Sequence, residues 1–279
     1  MATNLIPPTG LAVLQGKITT KPRPFHEVVA DFRHVVFSVI RLRPEGAGFR
    51  SWALGSGFFI GPNLFLTCHH VVDSLQKPHQ DGDTYQLVNN LGKSGVIHVL
   101  DKAVIGKDIY LFPERDAALL NIKAQNGYAA LDFRDLILGR EIGVAGYPLP
   151  MLRTDANGSL AYDGLIYRVA KNVITATVFG SSRSDAGPPT DKVWMLEVNF
   201  LFVAGNSGGP VFDSQTGRVI GYVHGYRASR IREQLVDTDL PNLPQGVGTK
   251  YVESIHAIYS IAFAVTCLRD EIEKRGIHA

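Results

Sequence analysis

Gly205-Asn206-Ser207-Gly208-Gly209-Pro210 is the stretch whose reading decides the fold. A serine set among glycines and followed by Pro210-Val211-Phe212 suits a nucleophile exposed on a tight turn. The glycines let the backbone adopt positive φ and approach a ligand closely. They also leave successive N–H groups free to converge on one point, as stabilisation of an oxyanion requires. Alone, a Gly-x-Ser-x-Gly turn reads equally well as a surface loop.

Two upstream segments change that balance. Thr67-Cys68-His69-His70-Val71-Val72-Asp73 follows the apolar run Gly55-Ser56-Gly57-Phe58-Phe59-Ile60-Gly61, and Arg115-Asp116-Ala117-Ala118-Leu119-Leu120 places an acid before a strand-like run. The chain order is therefore His, Asp, Ser. A serine hydroxyl is a weak nucleophile near neutral pH and needs an imidazole to take its proton. The imidazole in turn needs a buried acceptor to fix its tautomer. An acid flanked by apolar residues is costly to bury without such a partner.

These residues resemble the trypsin-like (chymotrypsin-fold) serine peptidases, nearest the HtrA-type branch. Further matching segments are Gly143-Val144-Ala145-Gly146-Tyr147-Pro148, Gly217-Arg218-Val219-Ile220-Gly221 and Ser260-Ile261-Ala262-Phe263. The resemblance covers about residues 35 to 275. It implies His70 as general base, Asp116 as its orienter and Ser207 as nucleophile, with the N–H groups of Gly205 and Ser207 as the oxyanion hole. His70 is preferred to His69 because the family pattern Thr-x-x-His runs from Thr67 to His70. On an extended segment, moreover, adjacent side chains face opposite ways. The resemblance also places the primary specificity pocket at Leu201 and Phe202, and the substrate-pairing edge at Val223, His224 and Gly225. With no charge from Val198 to Val203, that pocket cannot compensate a substrate Arg or Lys. Cleavage after apolar residues is expected.

Two departures from the family stand out. Asn206 occupies the position where secreted trypsins hold Asp, and no Ile-Val-Gly-Gly activation site follows a basic residue near the start. A zymogen switch of that kind is not expected, and control by loops or a regulatory partner is. The chain also ends soon after its last expected helix, so a following PDZ module is not expected.

The expected architecture is all-β: two six-stranded antiparallel barrels and a C-terminal helix. Residues 1–32 form an arm, 33–135 the first barrel with His70 and Asp116, and 136–279 the second barrel with Ser207 and the helix. Short β-rich runs punctuated by Gly, Asn, Asp and Pro carry this reading, among them residues 35–42, 85–88, 96–100 and 173–178. The helix spans Thr266 to Gly276, with Thr266 as N-cap, Leu268 and Ile272 facing the barrel and Gly276 as stop. Residues 148–165 and 227–255 read as long loops, the second walling the cleft or docking a regulator.

Composition narrows the remaining classes. A net charge of +2 over 279 residues gives no footprint for nucleic acid or anionic membrane. No run of ~18 apolar residues exists for a membrane helix, and the start lacks the features of a signal peptide. Two cysteines, Cys68 and Cys267, point to a reducing compartment and a cytoplasmic location. Cys68 reads as a small buried hydrophobe rather than a catalytic thiol. His69, His70, His79 and His98 lack metal-ligand spacing, so no metal and no other cofactor is expected. Protein or peptide is the expected substrate.

Two rival readings remain. In an α/β-hydrolase esterase, Ser207 would be followed by Asp237 or Asp239 and then His256. That elbow must open a helix, whereas the residues after Ser207 are strand-like. The other rival is a trypsin-fold binding or scaffold protein with an idle site.

Overall fold

The computed structural model describes residues 21–46, 48–76, 82–89, 96–100, 108–124, 127–148, 153–154, 160–161, 166–180, 193–199, 202–234 and 251–277. The expected all-β architecture is present. In the first half, β1 (Val36–Glu45), β2 (Gly48–Gly61), β3 (Leu64–Thr67), β4 (Thr84–Asn89), β5 (Val96–Leu100), β6 (Ile109–Phe112) and β7 (Ala117–Asn121) form one sheet in the order β5-β4-β1-β2-β3-β7-β6. It curls into a half-barrel. A bulge between Val39 and Ile40 falls where β1 pairs with β2, and bulges add twist and bend to a sheet.

In the second half, β8 (Glu141–Gly146), β11 (Arg168–Gly180), β12 (Val193–Val198), β13 (Pro210–Asp213), β14 (Val219–Gln234) and β15 (Tyr251–Ala264) close into a six-stranded barrel. Between β8 and β11, β9 (Arg153–Thr154) and β10 (Leu160–Ala161) make a two-stranded ribbon.

Burial follows the sequence pattern. Phe58, Phe59, Ile60, Leu64, Phe65 and Leu66 are all buried on consecutive positions, because both faces of these strands are covered. One apolar cluster joins residues of both halves, from Phe37 and Phe65 to Phe212, Tyr222 and Phe263. A second, with Ile142, Val144, Leu196, Phe202, Val211 and Ile220, fills the closed barrel.

Three local expectations are corrected. The end of the presumed arm is a helix, α1 (Phe25–Phe32), whose Phe25 and Phe32 stack on Phe212 of β13 at 6.3 and 3.9 Å between ring centres; residues 1–20 lie outside the described residues. Residues 227–234 and 251–255 are not irregular loop, because β14 and β15 stay paired out to Gln234 and Tyr251. Main-chain pairing needs no special side chains, so composition did not show it; residues 235–250 are outside the described set. The C-terminal helix is split into a 3₁₀ turn, Val265–Leu268, and α3 (Arg269–Glu273). No side chain caps either piece, so Thr266 does not act as expected, while Gly276 at φ +76° does end the helical run.

The C-terminal segment holds both halves together. Leu268 and Ile272 are fully buried in the shared cluster. Arg269 lies over the Phe133 ring at 5.3 Å and Arg275 over Tyr110 at 3.9 Å. Ile277 rests on Gly61 of β2, where an added Cβ would collide with it.

The crossing between the halves is stitched as well. Ala129 N–H donates to Phe59 O (2.8 Å), and Val219 N–H to Ala130 O (2.8 Å). Asp132, wholly buried, accepts from Arg134 (2.7 and 2.8 Å) and Arg140 (3.0 Å), and Arg140 also reaches Asp213 (2.7 Å). Burial works against the charge of Asp132, but the bonds from Arg134 and Arg140 outweigh it and hold the carboxyl well below its usual range. A depressed carboxyl stabilises the fold above its unfolded pKa and loses that contribution as pH falls. Asp132→Ala, which leaves the buried Arg140 with Asp213 as its one remaining carboxylate among the described residues, is expected to cost about 1–3 kcal/mol at neutral pH. In urea titrations the gap to the unmodified protein should narrow once pH drops below about 4.

Candidate active site

The nucleophile loop sits where the two halves meet. Ser56, fully buried in β2, ties them there. Its Oγ donates to Gly205 O (2.6 Å) and accepts from Tyr147 N–H (2.9 Å). Its N–H donates to Ser207 O (2.8 Å), and its carbonyl accepts from Thr67 Oγ1 (2.6 Å). Gly208 has φ +85° and lies so close to Ser56 O, Thr67 Oγ1 and Cys68 N that a Cβ would overlap all three. The Gly-Ser-Gly of one half and the Ser-Gly-Gly of the other are thus the two sides of one contact.

Asp116 is buried in a left-handed conformation (φ 42°, ψ 45°) after the 3₁₀ turn Pro113–Arg115 and just before β7. Asp tolerates that region better than most residues. From there it faces the start of α2 (His69–Gln76). Its carbonyl accepts from His69 N–H and its Oδ1 from His70 N–H, both at 3.0 Å. The same carboxylate meets His70 Nδ1 at 3.0 Å (Oδ1) and 2.8 Å (Oδ2). His69 and His70 open a helix rather than lying on an extended segment, so their side chains diverge by about 100° rather than the expected 180°.

His224 also reaches Asp116. Its Nδ1 lies 2.5 Å from Oδ2, and its ring packs on Phe263 with centroids 4.9 Å apart. The register of β14 against β15 shifts between Val223 and Gly225, which makes His224 the extra residue of a bulge. Bulges re-aim side chains, and this one turns His224 toward Asp116. Burial raises the Asp116 pKa, but the bonds from His224 and His70 together hold it well below the ordinary carboxylate range.

Ser207 Oγ donates to the His224 carbonyl (3.2 Å). The neighbouring main-chain donors are engaged, Gly208 N–H with Val223 O and Gly209 N–H with Asn206 O, each at 2.8 Å. Among the described residues, no group accepts from the N–H of Gly205 or of Ser207.

The remaining sequence-derived positions fall as follows. Leu201 lies outside the described residues. Phe202 is buried in the barrel core, its N–H donating to Ser260 Oγ (2.8 Å). Val223 is buried and its main chain is spent on the nucleophile loop, whereas Gly225 is partly open. His98 packs against Phe37 and Phe59 as a core histidine, and His79 is outside the described residues.

Cys68, His70 and Asp116 offer ligand atoms within 4.8 Å of one another. These atoms are already committed within the protein, the Asp116 carboxylate to His70 and His224, and the Cys68 thiol, pushed well above its usual pKa by burial, as a donor to Val223 O (3.1 Å). A buried thiol held in that way is a poor nucleophile. Both cysteines are free, and burial moves Cys267 up to about 11.

Ser56→Ala should leave Gly205 O and Tyr147 N–H buried without partners and lower unfolding free energy by roughly 2–4 kcal/mol, measured by urea denaturation.

Residues 55–221 match the trypsin-like peptidase domain family. Two solved forms of the Rv3671c protease of M. tuberculosis H37Rv resemble the chain at 18% identity. The active form has a TM-score of 0.52, covering 100% of this chain and 95% of that one. An inactive serine-to-alanine mutant has 0.51, covering 93% and 97%. The HtrA-type protease AlgW, solved with a decapeptide, has a TM-score of 0.53 at 16% identity over 91% of this chain and 68% of its own. At such identities the likeness speaks for the fold. No curated protein sequence matches the chain. With its serine loop, paired histidine and acid, and a family match over more than half its length, the chain belongs to the trypsin-like peptidases, as a serine endopeptidase.

Proposed function

We propose that the chain cleaves polypeptides by acyl transfer through Ser207, with His70 as general base and Asp116 as its orienter. One observation carries the assignment: the ionised, buried Asp116 holds both the main-chain N–H and the Nδ1 of His70 beside the Ser207 loop. With Nδ1 protonated against the carboxylate, Nε2 is the free base. It takes the Ser207 proton as Oγ bonds to the substrate carbonyl carbon, then gives that proton to the departing amine. Water repeats the sequence against the acyl-enzyme and restores Ser207. The N–H groups of Gly205 and Ser207 are the donors for the developing oxyanion.

Substrate preference is read from the uncharged run Val198 to Val203 ahead of the nucleophile loop, which offers no counter-charge to repay the desolvation of a basic side chain. Cleavage is therefore assigned to bonds after apolar residues. The bond from Ser207 Oγ to His224 O is one the hydroxyl exchanges for the base by rotating about its own side chain; a loop or partner that governs that turn would regulate the enzyme, and a latent scaffold is the second reading. Two free cysteines fit a cytoplasmic setting.

A fluorophosphonate probe tests the assignment. Peptide mass spectrometry should find the adduct on Ser207, with labelling lost in Ser207→Ala and reduced by at least about 10³-fold in His70→Ala. A peptide library should show cleavage after Val or Leu outpacing cleavage after Arg; the reverse order would overturn the apolar pocket.

A further inference from the structure

We propose that His224 is a positioning residue of the site: its imidazole shares the Asp116 carboxylate with His70 and fixes how that carboxylate is presented to the His70 ring. The proposal rests on the acyl-transfer reading above. Asp116 is ionised, so it can only accept. Both Nδ1 atoms that approach it, His70 at 2.8 Å and His224 at 2.5 Å, must therefore carry protons. Both converge on Oδ2, while Oδ1 is taken by the His70 main chain. Two imidazoles thus draw on one charge.

His224 is placed for this by its own backbone. As the bulged residue of β14 it turns its ring into the site, and Phe263 of β15 supports the opposite side. Its carbonyl meanwhile accepts from Ser207 Oγ. One residue therefore touches the acid with its side chain and the serine with its main chain. The titratable groups around the pair are few. His70 stands from α2, with its ring centre 6.1 Å from that of His224. Cys68, just before α2, stays a thiol, and the Tyr222 hydroxyl of β14 is spent on Arg115 O. Arg115 and Glu114 pair with each other at 3.7 Å.

Removing the His224 donor leaves Oδ2 less firmly held and the His70 ring less well oriented by it, which slows the transfer of the Ser207 proton.

Two variants separate donor from ring. His224→Phe keeps the packing on Phe263 and removes the donor. His224→Asn places an amide N–H near the Nδ1 position without the ring. With the fluorophosphonate probe, His224→Phe should lower the limiting labelling rate about ten- to a hundredfold at unchanged half-saturating concentration. His224→Asn should recover most of the rate. An unchanged rate in His224→Phe, or a change confined to half-saturating concentration, would overturn the role, the latter marking His224 as a substrate contact. Proton NMR supplies a readout independent of turnover. The unmodified protein should show two strongly deshielded imidazole N–H protons, and His224→Phe one. A single such proton in the unmodified protein rejects the shared carboxylate. Two protons without any labelling of the unmodified protein reject the acyl-transfer reading instead, and with it a role in catalysis.

Discussion

The site depends on a single buried hydroxyl. Ser56 spends its Oγ, N–H and carbonyl on four hydrogen bonds, to Gly205, Tyr147, Ser207 and Thr67. All are out of water, where an unmade bond costs far more than a made one returns. That asymmetry makes the arrangement nearly all-or-none: a displaced serine loop would strand several polar groups at once. Thr67 then leads through Cys68 into α2, so the same contact fixes where His70 begins. The close approach also explains why glycines face each other across it, since a side chain on Gly55 would strike Val71 and the Ser207 carbonyl.

Asp116 is the electrostatic counterpart of that contact. It satisfies the first N–H groups of α2, holds His70 and receives His224. Each bond offsets part of the cost of burying a charge, and together they outweigh it. Its left-handed backbone is what presents the carboxylate to all of them from a chain about to enter β7. A position with several obligations tolerates little substitution: an amide would keep one or two of these bonds and reverse the polarity of another.

Much of this was legible in the sequence, and the limits have physical reasons. The β architecture and the His70, Asp116 and Ser207 positions could be read because each lies in a short motif whose glycines and apolar neighbours are themselves local. Ser56 lay inside one of those motifs yet gave no hint of its role, because its partners are up to 149 residues away. The ring of His224 was read as facing substrate, since a bulge is a register property of two strands and leaves no trace in one. Helix α1 has apolar residues on one stripe only, and its packing on Phe212 is a tertiary gain. The paired extension of β14 and β15 escaped for the same reason, as ladder bonds are made by backbone whatever the side chains.

The clasp formed by residues 265–277 bears on when the protein becomes a hazard to its surroundings. His70 and Asp116 are synthesised early and Ser207 later, but the core that unites the halves is finished only with Leu268, Ile272 and the contact of Ile277 on Gly61. A chain cut after residue 264 would contain His70, Asp116 and Ser207 and lack the packing that seats them. Release or proteolysis of residues 265–277 would therefore disarm the cleft without touching any of the three.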